Sequence, residues 1–477
     1  MSIIIAILFP IYGAHIILSR FFTRQFLRNY GSILTISLSA GLVLGVTSCT
    51  YFLWLRFLGI PSTNYQVIEI IFIVVLISIA LYTSKYRIID RCSQDIGSDF
   101  NTFLRILSIG ALITVFCFIA AFFLRSVLNP HGWEDAWSMW NLKARFIFRS
   151  GDKWRNTFSN LLLWTSLDYP LMVPLSIVRI WGYLGTESTI AQISVAALFT
   201  FSTVALLISS LSVIRSRSTG LLAGLVLIGS PYFLKTGAFQ IADIPLGFYI
   251  LSTTVLFSLA EGSDLKSRFL IIAGVMTGLA AWTKNEGILF LIVVFIVRLI
   301  VTSANRGIKA YIRELAMFAS GALPILVVLL LFKSEMPSSN ELFAGQSIEM
   351  VLGRLTDSSR YLVIGKSFIV YFYDKLAKVW LIVLPIYFLL FGKAKRKENE
   401  EGIKTSILIV LFMFGGYFFI YLITPLNLEW HVITSVWRLF LHLWPTIIFS
   451  FFVFVSTPEE LFNEKRPMGA SGCSAIK

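Results

Sequence analysis

Apolar runs recur along almost the whole chain, separated by short polar stretches that carry most of the charge. After a first run from Ser2 to Ser19 come Ile33 to Phe57, Val67 to Tyr82, Leu107 to Leu124, Ile190 to Leu211, Leu221 to Phe233 and Ile244 to Leu259. Phe269 to Trp282, Ile288 to Ile300, Leu315 to Phe332, a stretch ending at Phe391, Ile407 to Ile423 and Leu439 to Val455 complete the series. The pattern predicts about thirteen membrane-spanning helices, several of them shorter than the ~20 residues a span normally needs. The expected fold is therefore all-α, a polytopic transmembrane bundle forming a single integral membrane domain over residues 1–477.

Composition agrees: the chain is 57% hydrophobic and 14% charged, with mean hydropathy +0.80, which excludes an ordinary soluble domain. The net charge of +14 sits in short clusters between apolar runs, so it reads as membrane orientation rather than nucleic-acid binding. Cys49, Cys92, Cys117 and Cys473 form no CxxC pair, and neither a zinc site nor a disulfide framework is indicated. The first run has no preceding basic residue and no cleavage pattern, and reads as an uncleaved anchor with its N-terminus outside. The tail after Cys473 is one residue too long for a prenylation box.

The basic groups Arg20/Arg24/Arg28, Lys85/Arg87/Arg91, Arg215/Arg217, Arg306/Lys309/Arg313 and Lys393/Lys395/Arg396/Lys397 share the cytoplasmic side if the apolar segment Pro170 to Leu184 does not cross. Under that topology the C-terminus is cytoplasmic, and the outside face receives 129–168, 235–243, 284–286, 333–366 and 424–437. Chemistry is expected in those loops.

The loop 129–168 concentrates charge and tryptophan. On a helix Trp133, Trp137, Trp140, Ala144 and Phe148 form one apolar stripe, as an interfacial amphipathic helix requires, with Asp135 on the opposite face. A carboxylate at the water edge, near Lys143, Arg145 and Arg149, is a candidate base beside a candidate anion site. An aromatic belt with solvated charges has the same composition. Basic residues in an outside loop run against the positive-inside trend, which favours an anion as their partner.

The last loop and span carry His431, Arg438 and His442. Arg438 and His442 are four residues apart and share a helix face. An ionisable group at a span edge is costly unless it meets a partner, so these residues serve either helix pairing or lipid-phosphate or sugar binding. Asp243 and Lys284 pose the same alternative.

Motif order narrows the choice. Glu134-Asp135 is followed by Arg149-Ser-Gly-Asp-Lys-Trp154, then Asp168-Tyr-Pro-Leu-Met-Val-Pro174, Ala242-Asp-Ile-Pro-Leu-Gly-Phe248 and Gly278-Leu-Ala-Ala-Trp-Thr-Lys-Asn-Glu-Gly287. This series, over roughly Arg125 to Ile300, resembles the multi-spanning GT-C glycosyltransferases, in the branch of aminoarabinose transferases and protein O-mannosyltransferases. Each motif is weak alone and their collinearity carries the resemblance. The chain departs from the pattern in reversing the acidic pair. It also has Leu167-Asp168 where a Lys or His usually precedes the proline motif, which leaves Lys143 or Arg145 for a phosphate contact.

The resemblance implies a polyprenyl-phosphate-linked sugar donor, an extracytoplasmic acceptor, inversion at the anomeric carbon, and a bacterial inner (plasma) membrane location. Asp135 or Glu134 would be catalytic, with Lys143, Arg145, Asp168, Asp243, Lys284, Glu286, His431, Arg438 and His442 contacting substrate. Nothing in the sequence calls for a cofactor or a divalent metal: it has no Gly-rich nucleotide loop, HExxH or Asp-x-Asp. The rival readings are a transporter or flippase of a lipid-linked glycan and a non-catalytic relative. Transport should place polar residues at mid-membrane depth, whereas here the apolar runs stay apolar through their middles.

Overall fold

The protein is described here by a computed structural model covering residues 2–22, 30–61, 63–82, 98–336, 345–394 and 400–464. Arg24, Arg28, Lys85, Arg87, Arg91, Cys92, Lys395, Arg396, Lys397 and Cys473 lie outside the described residues. The fold is an all-α polytopic bundle. Its first half comprises α1 (Phe9–Phe21), α2 (Tyr30–Phe57), α3 (Thr63–Tyr82) and α4 (Ser98–Leu128). The short α5 (Asn141–Ser150) and α6 (Met172–Leu184) precede α7 (Thr189–Ile214), α8 (Arg217–Ile228) and α9 (Pro231–Gly237). Next come α10 (Asp243–Ala260), α11 (Lys266–Thr283), α12 (Asn285–Arg306) and α13 (Ile308–Ser334). The remainder is α14 (Ile348–Thr356), α15 (Ser358–Phe372), α16 (Trp380–Phe391), α17 (Glu400–Ile423), α18 (Leu428–Phe454) and α19 (Pro458–Glu464).

Ten stretches among the described residues are long and apolar enough to cross a membrane, and the pair α8/α9, bent by 72°, makes eleven. The expected figure of about thirteen also included Phe269 to Trp282 and the stretch ending at Phe391. The first belongs to α11, an 18-residue helix that is not among those apolar enough. The second is α16, only 12 residues long and separated from α15 by a π-helical turn, Tyr373–Ala377. Each nevertheless belongs to a segment that runs between the same two faces as its neighbours, α16 only together with α15. Lys284, at the end of α11, meets Asp243 at the start of α10, so the two helices are antiparallel. Arg360 of α15 donates to the last carbonyls of α17, while Lys393, after α16, bridges to Val455 beyond α18.

Charge gathers at these two faces. At one, Arg268 donates to Phe21 O, Arg215 to Val455 O, and Glu261, Glu314 and Glu401 surround Arg298 and Arg306. At the other lie the described parts of 129–168, 235–243, 284–286, 333–366 and 424–437, cross-linked by Arg56 to Glu335 and by Lys333 to Asp168 O. The segment Pro170 to Leu184 forms α6, a 13-residue helix whose residues Met172 to Trp181 are all buried. It is too short for an ordinary span. Arg179 on α6 pairs with buried Glu69 of α3 at 2.8 Å and donates to Ala6 O at 2.7 Å, fastening the start of the chain to this face.

The centre of the bundle is α10, flanked by α7, α11, α17 and α18 and buried over almost its whole length. Glycines set the closest approach: a Cβ on Gly274 of α11 would lie 1.9 Å from Phe318 O, and one on Gly321 of α13 would lie 2.0 Å from Ile271 O. The two backbones touch there, as small residues permit in membrane bundles. Among the described residues Cys49, buried, and Cys117, exposed, are free cysteines.

Candidate active site

The acidic loop is clamped onto the turn that precedes α10. Gly132 adopts φ +77°, and a Cβ there would lie 2.4 Å from Phe239 O, so only glycine lets the strands of loop approach. Trp133 N donates to that same carbonyl. Gln240, itself at φ +62°, donates to Pro130 O and accepts from Asn141 Nδ2. A π-helical turn over Ala136–Trp140 follows and shifts the helical register. The expected stripe is therefore not realised. Trp140 and Ala144 are fully buried, but Trp133 and Trp137 are 47% and 53% exposed, and the packed face runs through Ala136, Met139, Trp140, Lys143 and Ile147. Asp135 consequently points inward to the bundle instead of away from it.

Its partner is Arg438, whose Nη1 donates to Asp135 Oδ2 at 2.5 Å. Arg438 also binds Asp243 Oδ2 through Nε at 3.0 Å and Nη2 at 2.9 Å. Asp243 is fully buried at the first residue of α10, where the helix N-terminus favours negative charge. Its other oxygen faces Lys284 Nζ at 3.0 Å and His442 Nε2 at 2.6 Å. Lys284 further pairs with Glu286 at 2.8 Å, and His442 Nδ1 faces the Tyr417 hydroxyl at 3.3 Å. Asp135, at 34% side-chain exposure, is the accessible end of this chain of charges.

Beside it lies a second group. Asp168 accepts from Asn285 Nδ2 at 2.7 Å, and Lys333 Nζ donates to Asp168 O and to Asn285 Oδ1. Lys143 is buried and donates to Ser166 O at 2.7 Å. Burial pushes its ammonium down to about 7, with Lys333 acting in the same direction and Asp168 opposing. Tyr169 joins the two groups, stacked on Trp140 and beside Lys284.

Of the residues singled out in the sequence, Asp135, Asp243, Lys284, Glu286, Arg438 and His442 meet in one cluster, with Lys143 and Asp168 next to it. Three stand apart. Arg145 contacts His131 at 3.2 Å and Glu187 at 3.8 Å, and Arg149 forms a two-pronged pair with the same Glu187. These arginines therefore turn from the carboxylates that they were expected to flank. Glu134 is exposed, and His431 sits against Thr424 and the Tyr421 ring. Sequence reasoning missed Gln240, Asn285, Lys333 and Tyr169. Asn285 and Tyr169 lie inside motifs already noted and Gln240 just before one, but Lys333 carries no local signal. Among the described residues no group of three His, Cys, Asp or Glu side chains is placed to hold a metal ion.

The profile of the dolichyl-phosphate-mannose-protein mannosyltransferase family matches residues 168–332. The match covers about a third of the chain and supports a GT-C-like membrane glycosyltransferase. The matched stretch contains Asp168, Asp243, Lys284 and Glu286, while Asp135, Arg438 and His442 reach the same cluster from outside it. No curated protein and no solved structure matches the chain. At family level the donor is a lipid-linked sugar and the setting a membrane.

Proposed function

We infer that the enzyme transfers a sugar from a polyprenyl-phosphate donor to a hydroxyl of an extracytoplasmic acceptor, with inversion, at the inner membrane of a bacterium. The observation that carries this reading is the Asp135–Arg438–Asp243–Lys284 series, in which an accessible carboxylate shares an arginine with a buried one. Asp135 removes the acceptor proton as the hydroxyl oxygen bonds to the anomeric carbon. The bond from that carbon to the phosphate oxygen breaks on the opposite side, and its electron pair leaves with the phosphate. Arg438 and Lys284, held by Asp243, offset the charge gathering there. Arg438 exchanges its contact with Asp135 for the donor phosphate, which frees the carboxylate for the acceptor. Glu134, exposed and away from Arg438, is assigned no proton transfer.

The test is to incubate purified protein with a panel of polyprenyl-phosphate sugars and follow free lipid phosphate and the anomeric configuration of the product. Acceptor-dependent release with inverted configuration is expected. A retained configuration, or no release with any donor and acceptor, would overturn the reading.

A further inference from the structure

Two helix breaks and the proline-bearing part of a third helix converge on one side chain away from the carboxylates. Ser230 lies at the 72° bend between α8 and α9. It accepts from Trp380 Nε1 at 3.1 Å, where α16 resumes after the π-helical turn, and from Trp444 Nε1 at 2.9 Å, beside Pro445 within α18. Breaks in membrane helices cost backbone hydrogen bonds and persist where protein or a cavity compensates for them. Both α8 and α16 are 12 residues long, which at ~1.5 Å per residue spans ~18 Å of a ~30 Å hydrocarbon core. The junction therefore lies at membrane depth, toward the half that holds the active site.

Just beyond the junction two ammonium groups flank one ring. Lys235 Nζ of α9 is 5.8 Å and Lys375 Nζ of the π-helical turn 5.2 Å from the centroid of Tyr232. Lys235 also lies 5.3 Å from the Trp133 ring and 5.7 Å from Phe239, and Tyr232 contacts Trp437 at 6.0 Å. Lys375 pairs with its exposed neighbour Asp374. Lys235 has no ion pair or hydrogen bond among the described residues, only the faces of aromatic rings. Rings hold a cation loosely, at a fraction of what an anion provides, so an ammonium at the outer edge of the bundle that meets only rings is available to an anion. The cluster is continuous with the active site along two stretches of chain, since Trp133 lies two residues before Asp135 and Trp437 adjoins Arg438. On its other side stands α16, which buries none of its residues and so faces the lipid.

We propose that Lys235 and Lys375 form a lateral capture site for the phosphate of a polyprenyl phosphate, through which the lipid-borne donor enters from the bilayer and the spent carrier leaves. The aromatic rings take the first isoprene units, and Arg438 and Lys284 receive the phosphate as it moves inward. The proposal rests on the lipid-phosphate donor of the preceding section.

Binding of a long-chain polyprenyl phosphate, without sugar, is measured on the full-length protein in lipid nanodiscs, beside the dephosphorylated polyprenol. The Lys235→Gln/Lys375→Gln double variant should bind the phosphate about tenfold more weakly and the polyprenol unchanged. Lys235→Arg should retain binding and report that the site still folds. In transfer assays the double variant should raise apparent KM for a long-chain donor with kcat within about twofold. Unchanged phosphate affinity in a folded double variant, or equal loss for phosphate and polyprenol, would overturn the proposal. Lysine-dependent binding without sugar transfer by the wild-type protein would leave the capture site standing and sink the donor reading instead. Transfer with the lysines irrelevant to KM would do the reverse.

Discussion

Asp135 and Arg438 lie 303 positions apart and share a 2.5 Å hydrogen bond that joins the first large loop to the last long helix. The bond closes the site across the bundle, because Arg438 is at the same time fixed to Asp243 at the start of α10.

Asp135→Asn keeps the shape of the side chain and removes its capacity to take a proton. Transfer should fall by a factor on the order of 10² to 10⁴ with donor binding retained, whereas Glu134→Gln should stay near wild type. Single-turnover rates with saturating donor check both, and an Asp135→Asn enzyme within a few-fold of wild type would end the assignment.

Arg438→Ala leaves Asp243 with Lys284 and His442 as partners and deprives the leaving phosphate of one cation. A loss of roughly 1.5 to 3 kcal/mol is expected, about ten- to a hundredfold in kcat/KM, through both higher KM and lower kcat. Arg438→Lys keeps the charge but cannot hold Asp135 and Asp243 together, and should recover only part. Normal donor affinity and turnover in a folded Arg438→Ala protein would make the residue a structural pair.

Lys143 gives stability a pH dependence. Its ammonium is pushed down to about 7 in the folded protein from 10.5, so between those values the unfolded chain binds the extra proton and folding is favoured increasingly as pH rises. Below about 7 both states are charged, and the full cost of burying the charge remains. Thermal unfolding of wild type against Lys143→Met should therefore diverge in favour of wild type as pH climbs from 7 to 9. A constant difference would mean that the buried amine does not titrate there.

Cysteines placed at exposed Asp152 and exposed Lys309 report the two faces of the bundle. An impermeant thiol reagent applied outside should label the first and not the second. Labelling of both from one side would reverse the topology on which the mechanism stands.

The alternation of apolar runs and charge clusters made the helices legible, because each run is a local feature that lipid or neighbours must cover. It did not reveal where runs break. The bend before Pro231 and the π-helical turn Tyr373–Ala377 both come together at Ser230, which accepts from Trp380 and Trp444, a convergence that no local pattern announces. The same limit explains the tryptophan stripe: ideal helical spacing put Asp135 on the far face, and the turn over Ala136–Trp140 rotated it inward. Arg438 and His442 could be paired by spacing alone, and both do reach Asp243. That Asp243 would be their shared partner, or that Lys333 would reach Asp168, depends on contacts between distant helices.

The contact of Gly274 with Phe318 O and of Gly321 with Ile271 O has a bearing on biosynthesis. Helix α11 is less apolar than the spans around it, yet it presents Lys284 to the site. Its place in the membrane is secured by backbone contact with α13, a helix that emerges from the ribosome later. The close packing of α11 is thus completed by a helix made after it, although the Lys284–Asp243 pair itself joins α11 to the earlier α10.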